Sequence, residues 1–153
     1  MSRPNWAEIK DDFAWDGSLR DIYILDTDAN DWDVLLAAIR SSNYERSYRL
    51  DGELAALPES FASALSDRAR ASAHLTLRLA EGLTVDCFFF SDEQIEFSLD
   101  PREIRGEYEL EKLLSFIAYL GQTVRKKVLL TPENGAQFAF LEFDPSSVSW
   151  ARM

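Results

Sequence analysis

The fold is decided by residues 73–99, which read AHLTLRLAEGLTVDCFFFSDEQIEFSL. Apolar and polar residues alternate over 75–79 and again over 95–99, as they do in strands that bury one face. A further strand pattern, Leu83 to Phe90, lies between them. Glu81-Gly82 and Ser91-Asp92 supply the two turns. The stretch therefore predicts three consecutive antiparallel strands, a β-meander.

Strand and helix patterns flank the meander on both sides. Residues 20–26, 44–50, 128–131 and 138–143 read as strands. Helical spacing of apolar residues predicts helices after residue 28, after residue 60 and over residues 107–124. The order β-α-β-α-βββ-α-ββ predicts an α+β fold, with a mixed, largely antiparallel sheet of about six to seven strands and about three helices packed on it. No linker or repeat divides the chain, so we expect one domain over residues 1–153.

The composition excludes several classes of protein. A chain that is 46% hydrophobic and 12% aromatic is not disordered. Its 27 acidic and 16 basic residues give a net charge of −11, which argues against nucleic acid as a partner. We expect no membrane contact and a cytoplasmic location, because the N-terminus lacks a signal-peptide pattern and no apolar run approaches the roughly 20 residues that span a bilayer. The single cysteine agrees with that location.

Residue types needed for catalysis are scarce. His74 is the only histidine, and alternation places it opposite the leucines of its strand, as a surface or edge residue. Cys87 shares a strand face with Val85 and Phe89 and is expected to be buried. The chain has neither the Cys and His spacings of zinc sites nor the glycine-rich loops that bind phosphate. We therefore expect no catalytic residue, no metal and no cofactor.

The most acidic short stretch is DTDANDWD, residues 26–33. Asp26, Asp28 and Asn30 match the first, third and fifth ligand positions of an EF-hand calcium loop. That loop also needs glycine at its sixth position and glutamate at its twelfth, where this chain has Asp31 and Ala37. The stretch is therefore not an EF-hand. Its acids can cap a helix, and they can also form an edge that faces a partner.

The acidic surplus is concentrated near the N-terminus. Residues 1–33 hold nine acidic and three basic residues, which is −6 of the total −11, together with three tryptophans. Charge speeds association with a basic partner, and desolvated aromatic rings supply affinity. Trp32 falls on the apolar stripe of its helix and is expected in the core, whereas the pattern leaves both core and surface open for Trp6 and Trp15. The residues predicted here to contact a partner are Asp16, Asp26, Asp28, Asp31, Asp33, Trp6 and Trp15.

Two phenylalanines offer a further surface. Strand alternation points Phe88 and Phe90 away from the face that holds Cys87 and Phe89. Either a helix covers these two rings or they form an exposed apolar patch. In the second case they join the predicted partner-binding residues, or they bring two copies of the chain together.

A resemblance to a known family runs through most of the chain. It is carried by WDGSLRDIYI at residues 15–24, by Asp31-Trp32 and Leu35-Leu36, and by TPEN at residues 131–134 with Phe143-Asp144-Pro145 and Trp150. In these stretches the chain resembles the small acidic immunity proteins of bacterial polymorphic toxin systems. The resemblance implies a protein without catalytic residues that occludes a cognate toxin. It also implies a toxin that acts in the cytosol, such as a nuclease or a nucleotide-modifying enzyme.

These observations predict a non-enzymatic binding protein, monomeric or homodimeric, that neutralises a basic protein partner such as a toxin domain. Two alternatives stay open. One is a small enzyme that uses carboxylates, with or without a divalent metal ion, and the other is a homo-oligomeric adaptor. A deep pocket lined by converging Asp and Glu side chains would favour the enzyme.

Overall fold

The chain forms one nine-stranded sheet with helices packed on one of its faces. The computed structural model describes residues 2–153. Its helices are α1 (Trp6–Ile9), α2 (Ala29–Ser41), α3 (Phe61–Arg68) and α4 (Glu107–Val124). Its strands are β1 (Arg20–Leu25), β2 (Glu45–Leu50), β3 (Glu53–Ala55), β4 (Ala73–Ala80), β5 (Leu83–Cys87), β6 (Gln94–Leu99), β7 (Val128–Pro132), β8 (Leu141–Asp144) and β9 (Ser149–Arg152). Over these residues, no helix has the length and apolar character needed to cross a membrane.

The sheet confirms the predicted α+β class. Its strand order is β3-β2-β4-β5-β6-β1-β7-β8-β9, and the strands pair antiparallel throughout. The predicted counts of six to seven strands and three helices are therefore slightly too low. The sheet was predicted to be mixed and largely antiparallel, and all its strand pairs are antiparallel. The missed elements are β3, β9 and α1, which have only three or four residues each. Elements this short do not show a hydrophobic period.

The β4–β5 hairpin contains a register shift that keeps its apolar residues on one face. Ala80 pairs with Leu83 next to the turn. In a regular ladder that continues from this pair, Leu77 would lie opposite Asp86. A β-bulge moves the pairing by one residue, so Leu77 lies opposite Val85 and both side chains are buried.

Helices α2 and α4 cover the buried face of the sheet. Helix α2 buries Trp32, Leu35, Leu36 and Ile39, the stripe predicted from the sequence. Helix α4 approaches β8 closely at Gly121, where a Cβ atom would lie 2.7 Å from the ring of Phe143. Glycine is required at this position, because a larger residue would push α4 away from the sheet.

The opposite face of the sheet, the outer face, is polar. Its side chains come from the positions that alternate with the core residues, and most of them are half-buried. One row across six strands consists of Ser47, Thr76, Asp86, Ser98, Asp21 and Thr131. A one-sided core of this kind is usual for antiparallel sheets.

Candidate partner-binding edge

Strand β1 separates the predicted contact residues into two groups. Trp6, Trp15 and Asp16 precede the strand, and residues 26–33 follow it. A strand of six residues is about 20 Å long. The acidic N-terminal segment therefore does not form one continuous surface, and its two ends are described separately.

The residues before β1 have partners within the chain. Trp6 is half-buried against Phe13, with ring centroids 6.1 Å apart. Trp15 is 48% exposed, and the Arg102 guanidinium lies 3.8 Å from its ring centroid. Asp16 accepts hydrogen bonds from the Ser18 hydroxyl (2.7 Å) and backbone N–H (3.1 Å). It also lies 3.2 Å from Nη1 of the largely buried Arg20.

These contacts hold the Asp16 side chain in its charged form. The Ser18 hydroxyl is the largest cause, followed by the Ser18 backbone N–H, and Arg20 adds its positive charge. Together they lower the pKa of Asp16 to about 2. Asp16 therefore stabilises the segment that leads into β1.

Three acids of residues 26–33 support helix termini. Asp28 and Asp31 form a capping box at the start of α2, in which each carboxylate accepts a hydrogen bond from the backbone N–H of the other residue. Asp33 accepts a 2.8 Å hydrogen bond from the backbone N–H of Phe61 at the start of α3. The predicted capping role is thus confirmed for Asp28 and Asp31. Asp26 has a left-handed backbone, with φ 57°, and is exposed.

The β5–β6 connection, residues 88–93, lies against the β1–α2 loop. Thr27 donates a 2.6 Å hydrogen bond from its hydroxyl to the Asp92 carbonyl and a 3.1 Å bond from its backbone N–H to the Glu93 carbonyl. The indole N–H of Trp32 donates to the Ser91 carbonyl at 3.0 Å. These bonds bring Asp92 and Glu93 beside Asp26 and Asp28. Sequence reasoning missed both residues, since Ser91-Asp92 carried only a turn signal.

The same connection presents the two phenylalanines. Strand β5 ends at Cys87, so the predicted strand to residue 90 is three residues too long. Phe89 takes a left-handed backbone, with φ 59°, and enters the core. Phe90 is 57% exposed and stacks on Phe88, which in turn stacks on the imidazole of His74 at 4.5 Å. Of the predicted pair, Phe90 is therefore exposed, whereas Phe88 is half-buried.

Arg68 of α3 holds this segment through its guanidinium group. Its Nη1 donates hydrogen bonds to the carbonyl oxygens of Phe89 (2.6 Å) and Phe90 (3.1 Å). Its guanidinium carbon lies 5.8 Å from the centroid of the Phe90 ring. The exposed ring is therefore held in place while most of its area stays open to a partner.

We call Asp26, Asp28, Asp92, Glu93 and Phe90 the acidic–aromatic edge. All five are exposed, and none of the four carboxylates takes part in an ion pair formed by the described part of the chain. The nearest cation on the α4–β7 turn is Lys126, which donates to the Asp26 carbonyl at 3.1 Å and lies 3.8 Å from Asp31. The edge thus concentrates negative charge beside an exposed aromatic ring.

His74 and Asp86 form a second polar group, on the outer face. His74 Nε2 lies 2.7 Å from Asp86 Oδ1 and 3.2 Å from the Thr76 hydroxyl, which itself donates to Asp86. A catalytic triad uses one imidazole nitrogen for the acid and the other for the nucleophile. Here one nitrogen faces both groups, so the Thr76 hydroxyl is not arranged for activation by a base.

Other reactive groups are held in the interior. Cys87 is fully buried, and burial raises the pKa of its thiol to about 12, so it stays protonated. Asp21 is also buried, and desolvation raises its pKa. Its carboxylate accepts hydrogen bonds from Ser98, Tyr23 and the backbone N–H of Asn134. These bonds attach the β7–β8 connection to the sheet.

The acidic–aromatic edge is therefore suited to binding a cationic surface. Within residues 2–153, no group of three or more His, Cys, Asp or Glu side chains is arranged to hold a metal ion. Half-buried Trp6 packs into the fold, whereas Phe90 offers an open ring for contact.

Comparisons of the chain with protein-family models, with curated proteins and with solved structures found no match.

Proposed function

We propose that this chain is a non-enzymatic binding protein that neutralises a basic protein partner by docking its acidic–aromatic edge on it. The observation that carries the proposal is the group of four exposed carboxylates beside Phe90 that form no ion pair within residues 2–153. Together with the resemblance to immunity proteins, it leads us to propose a toxin domain as the partner and the cytoplasm as the place of action.

The edge combines the two components of a tight and fast interface. Unpaired carboxylates attract a basic surface over a distance of about one Debye length, roughly 8–10 Å, and raise the association rate. An exposed ring on a fixed backbone fills a pocket of the partner without losing much side-chain freedom. Occlusion of a basic substrate cleft is a direct consequence of such docking.

The same charge argues against self-association through this edge. In a homodimer formed around Phe90, the carboxylates of the two copies would face each other, and like charges in an interface are unfavourable. We therefore expect a monomer in the absence of the partner. Light scattering that shows a dimer lost in the Phe90→Ala variant would instead support the adaptor.

The proposal predicts a toxin domain encoded beside this chain, and the test uses that domain. Co-expression should protect cells from it, and purified protein should bind it with an affinity that falls as salt rises. The test variant combines Asp26→Asn, Asp28→Asn, Asp92→Asn and Glu93→Gln. Asparagine tolerates the left-handed backbone at 26 and still caps α2 at 28, so the fold is retained. We expect the dissociation constant to rise about tenfold or more at low ionic strength.

A matched control removes four other charges. Asp11, Glu53, Glu81 and Glu111 are exposed and make no side-chain hydrogen bond or ion pair in the part of the chain that is described. Their replacement by Asn or Gln changes the net charge equally and should leave the affinity within about twofold. Equal loss in both variants would reject a localised edge, and protection without binding would reject the proposed mechanism.

A further inference from the structure

A groove lies on the outer face at the end of β1, beside the acidic–aromatic edge. Its volume is about 840 Å³, within the range of ligand sites in proteins. Leu25 and Leu129, from neighbouring strands, supply its apolar lining. The α4–β7 turn, residues 125–127, forms one wall, and Pro145 and Ser146 of the β8–β9 turn form the other.

Most charges of the groove are used within the chain. Lys127 lies 3.4 Å from Glu142, and Lys126 is held by Asp31 and by the carbonyl of Asp26. Asp144 accepts hydrogen bonds from the hydroxyl (2.7 Å) and backbone N–H (2.9 Å) of Ser146.

Arg125 is the exception among the cations. It is exposed, and its guanidinium makes no hydrogen bond or ion pair with residues 2–153. The groove thus offers one uncommitted cation next to an apolar lining, and its uncommitted carboxylate is that of Asp26, which also belongs to the acidic–aromatic edge.

The backbone conformation of Arg125 is unfavourable for an arginine, so a contribution to the stability of the fold does not explain this residue. The residue ends α4 in the left-handed conformation, with φ 62°, where glycine or asparagine is usual. Phe89 also has a positive φ, but its buried ring offsets the cost. The side chain of Arg125 contributes nothing comparable to the fold. Val148, 63% exposed with φ 49°, is a second unexplained case, on the turn that forms the opposite wall. Costly backbone conformations of this kind concentrate at binding sites.

We propose that this groove is a second docking point, which takes a segment of the partner that presents an apolar side chain next to a carboxylate. The apolar side chain packs on Leu25 and Leu129, and the carboxylate pairs with Arg125. The inference rests on the proposed function. It requires that the partner present a carboxylate to Arg125 in addition to the basic surface that faces the acidic–aromatic edge. Asp26 belongs to both the edge and the groove, so the two docking points are continuous.

The experiment uses two blocked dipeptides as probes, acetyl-Leu-Glu-amide and acetyl-Leu-Gln-amide, titrated into the isotope-labelled protein and followed by NMR. We expect both to shift the amide signals of Leu25 and Leu129, and the glutamate peptide to bind about threefold to fivefold tighter. Arg125→Gln should abolish that difference. No shift at the groove, or equal affinity for the two peptides, would overturn the inference and leave the proposed function standing, because the partner is absent.

A second variant separates binding from folding. Arg125→Gly suits the left-handed position, so its midpoint of urea unfolding should rise above that of the wild type. It should nevertheless lose the preference for the glutamate peptide. A variant that keeps this preference would show that Arg125 does not bind the carboxylate.

Discussion

The two ends of β1 have similar compositions and different surroundings. Before the strand, cations compensate the acid and the exposed tryptophan. Arg20, the first residue of β1, pairs with Asp16, and Arg102 lies over the ring of Trp15. After the strand, Lys126 pairs with Asp31 alone, and Asp92 and Glu93 add further negative charge to the acids already there. The comparison shows that a local surplus of charge does not define an interface. What matters is whether the fold brings compensating groups to it.

The largest expected effect is on stability, at the start of β1, where cations compensate the acids. Arg20 is buried and donates hydrogen bonds to the carbonyl oxygens of Asp12 (2.8 Å) and Ala14 (2.8 Å). Arg20→Ala leaves these acceptors without a donor and should lower the free energy of unfolding by about 3 kcal/mol. Arg68 is exposed and also donates to carbonyl oxygens, and Arg68→Ala should lower the free energy of unfolding by about 1 kcal/mol. Urea unfolding measures both, and equal losses would contradict the comparison.

The next effect concerns binding at the two ends. Phe90→Ala should weaken the partner complex by about 2 kcal/mol, roughly 30-fold, because an exposed ring is lost from the centre of the interface. Trp15→Ala removes a ring already occupied by Arg102 and should change the affinity less than about threefold. Calorimetry gives both constants. A larger loss for Trp15 would move the interface to the other end of β1.

The smallest effect is a pH dependence at Asp16. Its pKa in the folded chain is about 2, against 3.8 for the unperturbed group, so its contribution to stability is present above pH of about 4. That contribution is lost as the pH falls through about 2. The difference in melting temperature between the wild type and Asp16→Asn should shrink over this window. Ser18→Ala, which removes the main hydrogen bond, should reproduce part of the loss, and a constant difference would reject the assignment.

Local patterns predicted the elements that bury a face. The alternation in residues 73–99 and the stripe of α2 are both found, as are the buried positions of Trp32 and Cys87. These features follow from short-range periodicity, which one stretch of sequence records completely. The β4–β5 bulge could not be read in this way, because it becomes necessary only when two strands are aligned on the same core.

The composition of the edge was only partly predictable. Asp26, Asp28 and Phe90 were predicted contact residues, and their binding role stays a prediction. Asp92 and Glu93 join them because β6 lies next to β1 in the sheet and Thr27 then reaches the β5–β6 connection. Strand order is a long-range property, so no local pattern could associate residues 92–93 with residues 26–28.

The capping box at α2 divides the edge into structurally constrained and adaptable parts. Asp28 must keep a side chain that caps a helix, so its replacements are limited to a few polar residues. The side chains of Asp92 and Glu93 make no hydrogen bond within residues 2–153, while their backbone carbonyls hold the connection in place. Under the proposed function, we therefore expect mutation at these two positions to change which partner is recognised without loss of the fold. A change of partner by substitutions at Asp92 and Glu93 would then carry little risk to stability.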